Sequence, residues 1–245
     1  MQAINRTMVI TGASSGIGLG LAKAYLERGF NVVGSARSEE RLASAAEQLG
    51  NPRNFIGVAG DIAVPETSRR LFERAIEGFG QVDVLVNNAG IFIAKPIAEY
   101  SEDDLESMLA TNLKGVVYAS QAAAKHMIPR RQGHIVTITA SVALQPNRAL
   151  PSSLPVLIKG GLNQFTRALA LELSPYDIKV NAVAPGIVDT PMHDPAYRDF
   201  LNGLQPLGRI GQVQDIADAV LYLTDASFTT GVVLAVDGGM STGTW

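Results

Sequence analysis

The 245-residue sequence contains no cysteine. Disulfides, thiolate nucleophiles and thiolate metal sites are thereby excluded, and the composition fits a reducing cytoplasm. Histidine is scarce: His126, His134 and His193 lie far apart and show no metal-ligand spacing. No stretch of about 18 apolar residues exists, so no membrane span is expected. The N-terminal MQAINRTMVITG lacks the charged head and long apolar run of a signal peptide. A strong charge bias is missing as well: the net charge of −3 argues against nucleic acid as a partner. No linker, low-complexity segment or short repeat divides the chain, which favours one domain over residues 1–245.

What is present is a hydrophobic fraction of 47%, enough for a large core, in a regular alternation. Short β-branched runs at 7–11, 31–36, 54–59, 83–88, 134–139, 179–184 and 232–237 read as strands. They are almost continuously apolar, as strands covered on both faces are. Between them lie apolar stripes at helical spacing, such as Leu71, Phe72, Ala75, Ile76 and Phe79, or Val213, Ile216, Ala217, Val220 and Leu221. This alternation predicts an α/β fold: a doubly wound parallel sheet of about seven strands with helices on both faces.

The first strand runs into TGASSGIG, residues 11–18, where Gly12, Gly16 and Gly18 alternate with Ser14, Ser15 and Ile17. Glycines permit a tight turn and close backbone approach. The helix that follows offers unpaired N–H groups and a positive dipole end to a pyrophosphate. The spacing is one residue longer than the common dinucleotide fingerprint. The second strand ends at SAR, 35–37. A carboxylate there would bond the ribose hydroxyls of NAD. Arg37 suits a 2′-phosphate instead, which points to NADP rather than NAD. Glu39 and Glu40 follow Ser38 and read as first-turn acids of the next helix. NNAG, 87–90, ends the fourth strand with small residues that let a planar ligand approach the backbone.

Together these motifs resemble the short-chain dehydrogenase/reductase family. The resemblance spans about residues 7–240. It continues through GD at 60–61, Asn112 in ATNLKG, Ser141 in TITASVA and Lys159 in IKGGL, then NAVAPGIVDTP at 181–191 and VDGG at 237–240. It implies a single Rossmann-type domain, a nicotinamide cofactor, a small-molecule substrate and a homo-oligomer, tetramer or dimer. By the same resemblance, Asp61 and Ile62 border the adenine, and Asn88, Ala89 and Gly90 the cofactor's centre. Pro185, Gly186, Val188 and Thr190 flank its nicotinamide end, and Lys159 bonds the nicotinamide ribose.

The family's usual active site is a tetrad of Asn, Ser, Tyr and Lys. Asn112, Ser141 and Lys159 match it. Asn112 falls on an apolar stripe with Leu105, Met108, Leu109, Leu113 and Val116, where a polar side chain needs partners. The fourth member fails. Counting back four from Lys159 gives Pro155, and the longer spacing of the enoyl reductases gives Ser152. No tyrosine lies between Ser141 and Lys159. Proline is tolerated in a first helical turn, and Ser152 or Ser153 suits the cap, so the helix and its lysine survive. A serine is a poor acid beside a phenol of pKa about 10. The proton then falls to Lys159, directly or through water, with His193 and Tyr197 as weaker candidates in the covering segment 190–207. The expected activity is NADP(H)-dependent oxidoreduction of a carbonyl or alcohol on a small apolar molecule. Two alternatives remain open. One is a cofactor-binding pseudoenzyme, sensor or partner subunit; the other is non-redox isomerase or lyase use of the same fold.

Overall fold

The structure, a computed structural model, describes residues 6–243. Residues 1–5, where no signal peptide is expected, lie outside the described residues. Seven strands form one parallel sheet: β1 (Thr7–Ile10), β2 (Asn31–Ala36), β3 (Phe55–Ala59), β4 (Val84–Asn87), β5 (Gly133–Ile138), β6 (Ile178–Pro185) and β7 (Val233–Val236). All seven predicted runs are strands, with ends displaced by at most one residue. Their order is β3-β2-β1-β4-β5-β6-β7, so the winding reverses between β1 and β4. At such a reversal the connections leave in opposite directions and open a crevice beyond the strands' C-terminal edges.

Among the described residues, eight α-helices connect and cover the strands: α1 (Gly16–Glu27), α2 (Glu39–Gln48), α3 (Pro65–Phe79), α4 (Glu102–Met108), α5 (Gly115–Arg130), α6 (Ser153–Leu173), α7 (Arg198–Gly203) and α8 (Val213–Asp225). Alternate residues of the strands from β1 to β6 feed two cores, whereas β7 at the edge adds Leu234 and Val236 to one of them. Met8, Ile10, Val84, Val86 and Val136 pack with Leu21 and Tyr25 of α1 and Ile216 and Val220 of α8. Val9, Leu85 and Ile135 pack on the other face against Leu71 of α3, Ala119 and Met127 of α5 and Leu169 of α6. Double coverage is why the strands read as continuous apolar runs.

Local signals set the helix ends. Ser38 caps α2, its hydroxyl accepting from the Arg41 N–H, with Glu39 and Glu40 in the first turn as expected. Pro65 opens α3, and Gly80 closes it at φ +81°. Ser152 occupies the N-cap of α6, but its side chain makes no cap bond; its hydroxyl donates to Leu150 O at 2.9 Å. Pro155 sits in the first turn of α6, where its missing N–H costs nothing. Among the described residues, no helix is long and apolar enough to cross a membrane.

Candidate active site

A cavity of about 690 Å³ runs along the C-terminal edges of the central strands, at the winding reversal. One end is the glycine turn after β1. Gly12 and Gly16 have φ of +70° and +54°, a region that side chains disfavour. A Cβ on Gly12 would stand 2.9 Å from Ala89 Cα, and one on Gly18 only 2.1 Å from Gly12 O. Gly18 lies behind the turn and does not line the cavity; it lets α1 start against the loop. Gly12, Ser14, Ser15, Gly16 and Ile17 do line it. The first turn of α1 carries no acid, so nothing neutralises its positive end.

The turns after β1 and β4 are bonded to each other. Thr11 Oγ1 accepts from the N–H groups of Asn88 and Ala89, both at 3.0 Å. The Asn88 side-chain amide donates to Thr11 O and Gly12 O, also at 3.0 Å. Asn88, Ala89 and Gly90 all border the cavity, as do Asp61 and Ile62 farther along. Arg37 lies exposed on the same rim. Beside it stands Arg41, which the sequence reading passed over; its guanidinium donates to Ser15 Oγ at 3.4 Å. Arg37 precedes α2 and Arg41 lies in its first turn, so the two stand four positions apart on either side of the Ser38 cap. Glu39 and Glu40 do not line the cavity.

At the other end Ser141 and Lys159 face the same space. Lys159 comes from the second turn of α6 and is 7% exposed. Its ammonium donates to Ile138 O at 2.9 Å, the last residue of β5. No carboxylate pairs with it among the described residues. Burial lowers its pKa from 10.5 to about 8. Ser141 Oγ, 1% exposed, has Met240 Sδ at 3.6 Å. Met240 is a second residue the sequence reading missed; it follows VDGG, 99 positions after Ser141. Pro155 is buried and does not line the cavity, and neither does any of the chain's six tyrosines.

Asn112 is buried but stands outside the cavity wall, where its neighbour Thr111 takes part. Its amide is spent on Ile91: Oδ1 accepts from the Ile91 N–H at 3.0 Å and Nδ2 donates to Ile91 O at 2.9 Å. The helical stripe expected there is interrupted, because Leu109–Lys114 winds as a wider π turn between α4 and α5. Gly90 lies between Asn112 and Lys159. A Cβ there would come within 2.7 Å of Asn112 Oδ1 and 3.5 Å of Lys159 Nζ.

Pro185, Gly186, Val188 and Thr190 continue the wall after β6. From 190–207, Met192, His193 and Leu201 reach the cavity, whereas Tyr197 is 62% exposed and does not. Burial lowers the His193 pKa, outweighing nearby Asp189. His126 and His134 are structural. His126 accepts from the Val82 N–H at 3.0 Å, and His134, 2% exposed, is held neutral with a pKa of about 3 by burial.

Fold and site define an α/β protein of the Rossmann type. A family described as "Enoyl-(Acyl carrier protein) reductase" matches residues 12–241. Subunit BbsD of (2S)-[(R)-hydroxy(phenyl)methyl]succinyl-CoA dehydrogenase from Thauera aromatica is 36% identical over 97% of both chains. The 3-oxoacyl-[acyl-carrier-protein] reductase of Bos taurus is 35% identical, covering 97% of this chain and 98% of its own. Among solved structures, ElxO with NADP bound superposes with a TM-score of 0.91 at 29% identity, covering 97% of this chain and 99% of that one. The 3-ketoacyl-(acyl-carrier-protein) reductase from Brucella melitensis complexed with NADH gives 0.90 at 30%, covering 96% and 98%. The chain belongs to the short-chain dehydrogenase/reductase family, a family of oxidoreductases.

Proposed function

We propose that this chain is an NADP(H)-dependent oxidoreductase acting on a carbonyl or alcohol of a small apolar molecule. The observation that carries the reading is that the glycine turn, Arg37, Ser141 and Lys159 line one continuous cavity. A nicotinamide dinucleotide suits these residues: Gly12 leaves no room for a Cβ against Ala89, the first turn of α1 carries no acid, and Arg37 and Arg41 line the cavity together with Ser15. Arg37, aided by Arg41, would take the 2′-phosphate, which favours NADP over NAD. ElxO, 29% identical, was solved with NADP and the Brucella protein with NADH, so the preference for NADP rests on the arginines. Asp61 and Ile62 would border the adenine, Asn88 to Gly90 the centre, and Pro185, Gly186, Val188 and Thr190 the nicotinamide end. When bound, the dinucleotide supplies or accepts the hydride.

The chain's own residues handle the substrate oxygen and the proton. Ser141 Oγ turns from the weakly accepting Met240 sulfur to donate to the substrate oxygen. Lys159 holds the transferable proton at Nζ, and its pKa of about 8 keeps that proton available near neutrality without locking it. With no phenol in the wall, the proton passes from Lys159 directly or through one water. Phe92, Val142, Leu150, Ile187, Leu201 and Met240 supply an apolar wall that fits an apolar substrate body. The bovine 3-oxoacyl-[acyl-carrier-protein] reductase and the Brucella 3-ketoacyl-(acyl-carrier-protein) reductase favour a 3-oxoacyl group as the carbonyl tried first. Asn112 braces the β4 turn through Ile91 and so positions Gly90 beside Lys159. Leu157 and Leu171, 71% and 78% exposed on the outer face of α6, support a homo-oligomer. The absence of cysteine supports a cytoplasmic location.

The test pairs nicotinamide fluorescence titration with a carbonyl panel. NADPH should bind more tightly than NADH, and turnover should fall at least tenfold in Lys159→Ala. An activity indifferent to that change would overturn the lysine relay. Pro155 favours a second reading, a cofactor-binding subunit without turnover; a single robust turnover would exclude it.

A further inference from the structure

Lys159 combines three properties seldom found together on a lysine. It is buried, it borders a cavity, and its nitrogen contacts a neutral acceptor rather than a carboxylate. Buried ammonium groups are ordinarily paired with an anion. Here the bond to Ile138 O survives loss of a proton, because a neutral amine still donates an N–H, and that loss leaves the nitrogen a lone pair. Gly90 borders the same space: a Cβ there would stand 3.5 Å from Nζ, in ordinary contact, and 2.7 Å from Asn112 Oδ1. Part of the cavity wall is apolar, built from Phe92, Val142, Leu150, Ile187, Leu201 and Met240. A desolvated lysine in an apolar pocket is the setting in which amines act as nucleophiles on carbonyl carbon.

We propose that Lys159 is also a covalent amine catalyst, which condenses with apolar ketones or aldehydes in this cavity and exchanges the hydrogens beside their carbonyl. The neutral amine adds to the carbonyl carbon, forming a C–N bond, and the oxygen takes up protons and leaves as water. The product is an iminium on Lys159. Its positive nitrogen draws electrons, so a C–H bond on the adjacent carbon breaks. The proton goes to water, and the electron pair forms an enamine. Return of a proton from solvent to that carbon, then hydrolysis, regenerates ketone and amine; no oxidant or reductant is consumed. A lysine with a pKa of about 8 is neutral in roughly a quarter of molecules at pH 7.5, against roughly one in a thousand at the ordinary value. Lys179 is the internal control. Burial lowers its pKa too, but its ammonium is tied to the carbonyls of Leu223, Thr224 and Ala226 at the end of α8, outside the cavity.

The experiment incubates the full chain with 4-phenyl-2-butanone and sodium cyanoborohydride, which reduces an iminium to a stable secondary amine, and maps adducts by peptide mass spectrometry. Adduct should form on Lys159 at least tenfold faster than on Lys179 or any exposed lysine, and not in Lys159→Arg. In D₂O without reductant, deuterium should enter beside the ketone, and Lys159→Arg should reduce this to background. Uniform labelling of all lysines, or exchange unchanged in Lys159→Arg, would overturn the proposal. If that variant does not fold, the labelling ratio in the wild-type chain decides. Saturating NADPH should slow labelling, a result that rests on the reading that Lys159 meets the nicotinamide ribose. Labelling of Lys159 that NADPH leaves unchanged supports the covalent chemistry and refutes that contact. NADPH binding without any Lys159 adduct refutes the covalent chemistry alone.

Discussion

Replacing Lys159 by methionine should stabilise the protein near neutral pH and destabilise it in alkali. Burial lowers the lysine's pKa from 10.5 to about 8, and at roughly 1.4 kcal/mol per unit the charged form costs about 3 kcal/mol of folding stability. Methionine preserves most of the aliphatic stem and removes the charge. It also removes the bond to Ile138 O, a loss of about 1 kcal/mol. The net gain at pH 7 is about 2 kcal/mol. The sign changes with pH. The unfolded lysine binds its proton up to 10.5, the folded one only to about 8, so wild-type stability rises between those values. Above that window both forms are neutral, the penalty is gone, and the methionine variant should be less stable by about 1 kcal/mol. Urea unfolding of both proteins at pH 7 and at about pH 11.5 measures the two differences, with other titrations cancelling between them. A methionine variant that is less stable at both pH values by the same amount would refute the premise that a charged amine is buried against a neutral carbonyl.

Three further predictions concern the rest of the cavity. Arg37→Ala should weaken NADPH binding by about 10- to 100-fold and leave NADH binding unchanged, read by fluorescence titration at fixed salt; equal losses for both would remove the 2′-phosphate assignment. Gly18→Ala forces a Cβ to 2.1 Å from Gly12 O, a backbone atom that cannot swing away, and should cost about 3 kcal/mol in denaturation together with nucleotide binding. Asn112→Ala strips both bonds from the buried Ile91 backbone and should cost about 2–4 kcal/mol in chemical unfolding. Lost activity at unchanged stability would instead put Asn112 in the chemistry.

The sheet was legible because its central strands are covered twice, and burial on both faces leaves little room for polar residues. The cradle was legible because its geometry needs glycine at Gly12 and Gly16, where φ is positive. Contacts made only by the tertiary fold were not. Met240 reaches Ser141 across 99 positions, and nothing near either residue announces the meeting. Asn112 looked like one polar position on a regular stripe; periodicity assumes constant winding and cannot register a local π turn. Arg41 was hidden by its own helix, since a charge near the start of α2 reads as solvated surface until Ser15 is brought beside it. Ser152 stands where a capping serine belongs, yet its hydroxyl turns back to Leu150, a choice made by the preceding loop.

The four bonds joining Thr11 and Gly12 to Asn88 and Ala89 have a thermodynamic consequence for any guest of the cavity. These backbone turns are already ordered by folding, so a molecule settling on them forfeits little chain entropy. The opposite side, from Thr190 to Leu201, contributes side chains from short helical turns on the surface and bears whatever ordering remains. Affinity at the first side should therefore vary little with temperature beyond its buried area, whereas guests differing only where they meet the second should differ chiefly in entropy and heat capacity.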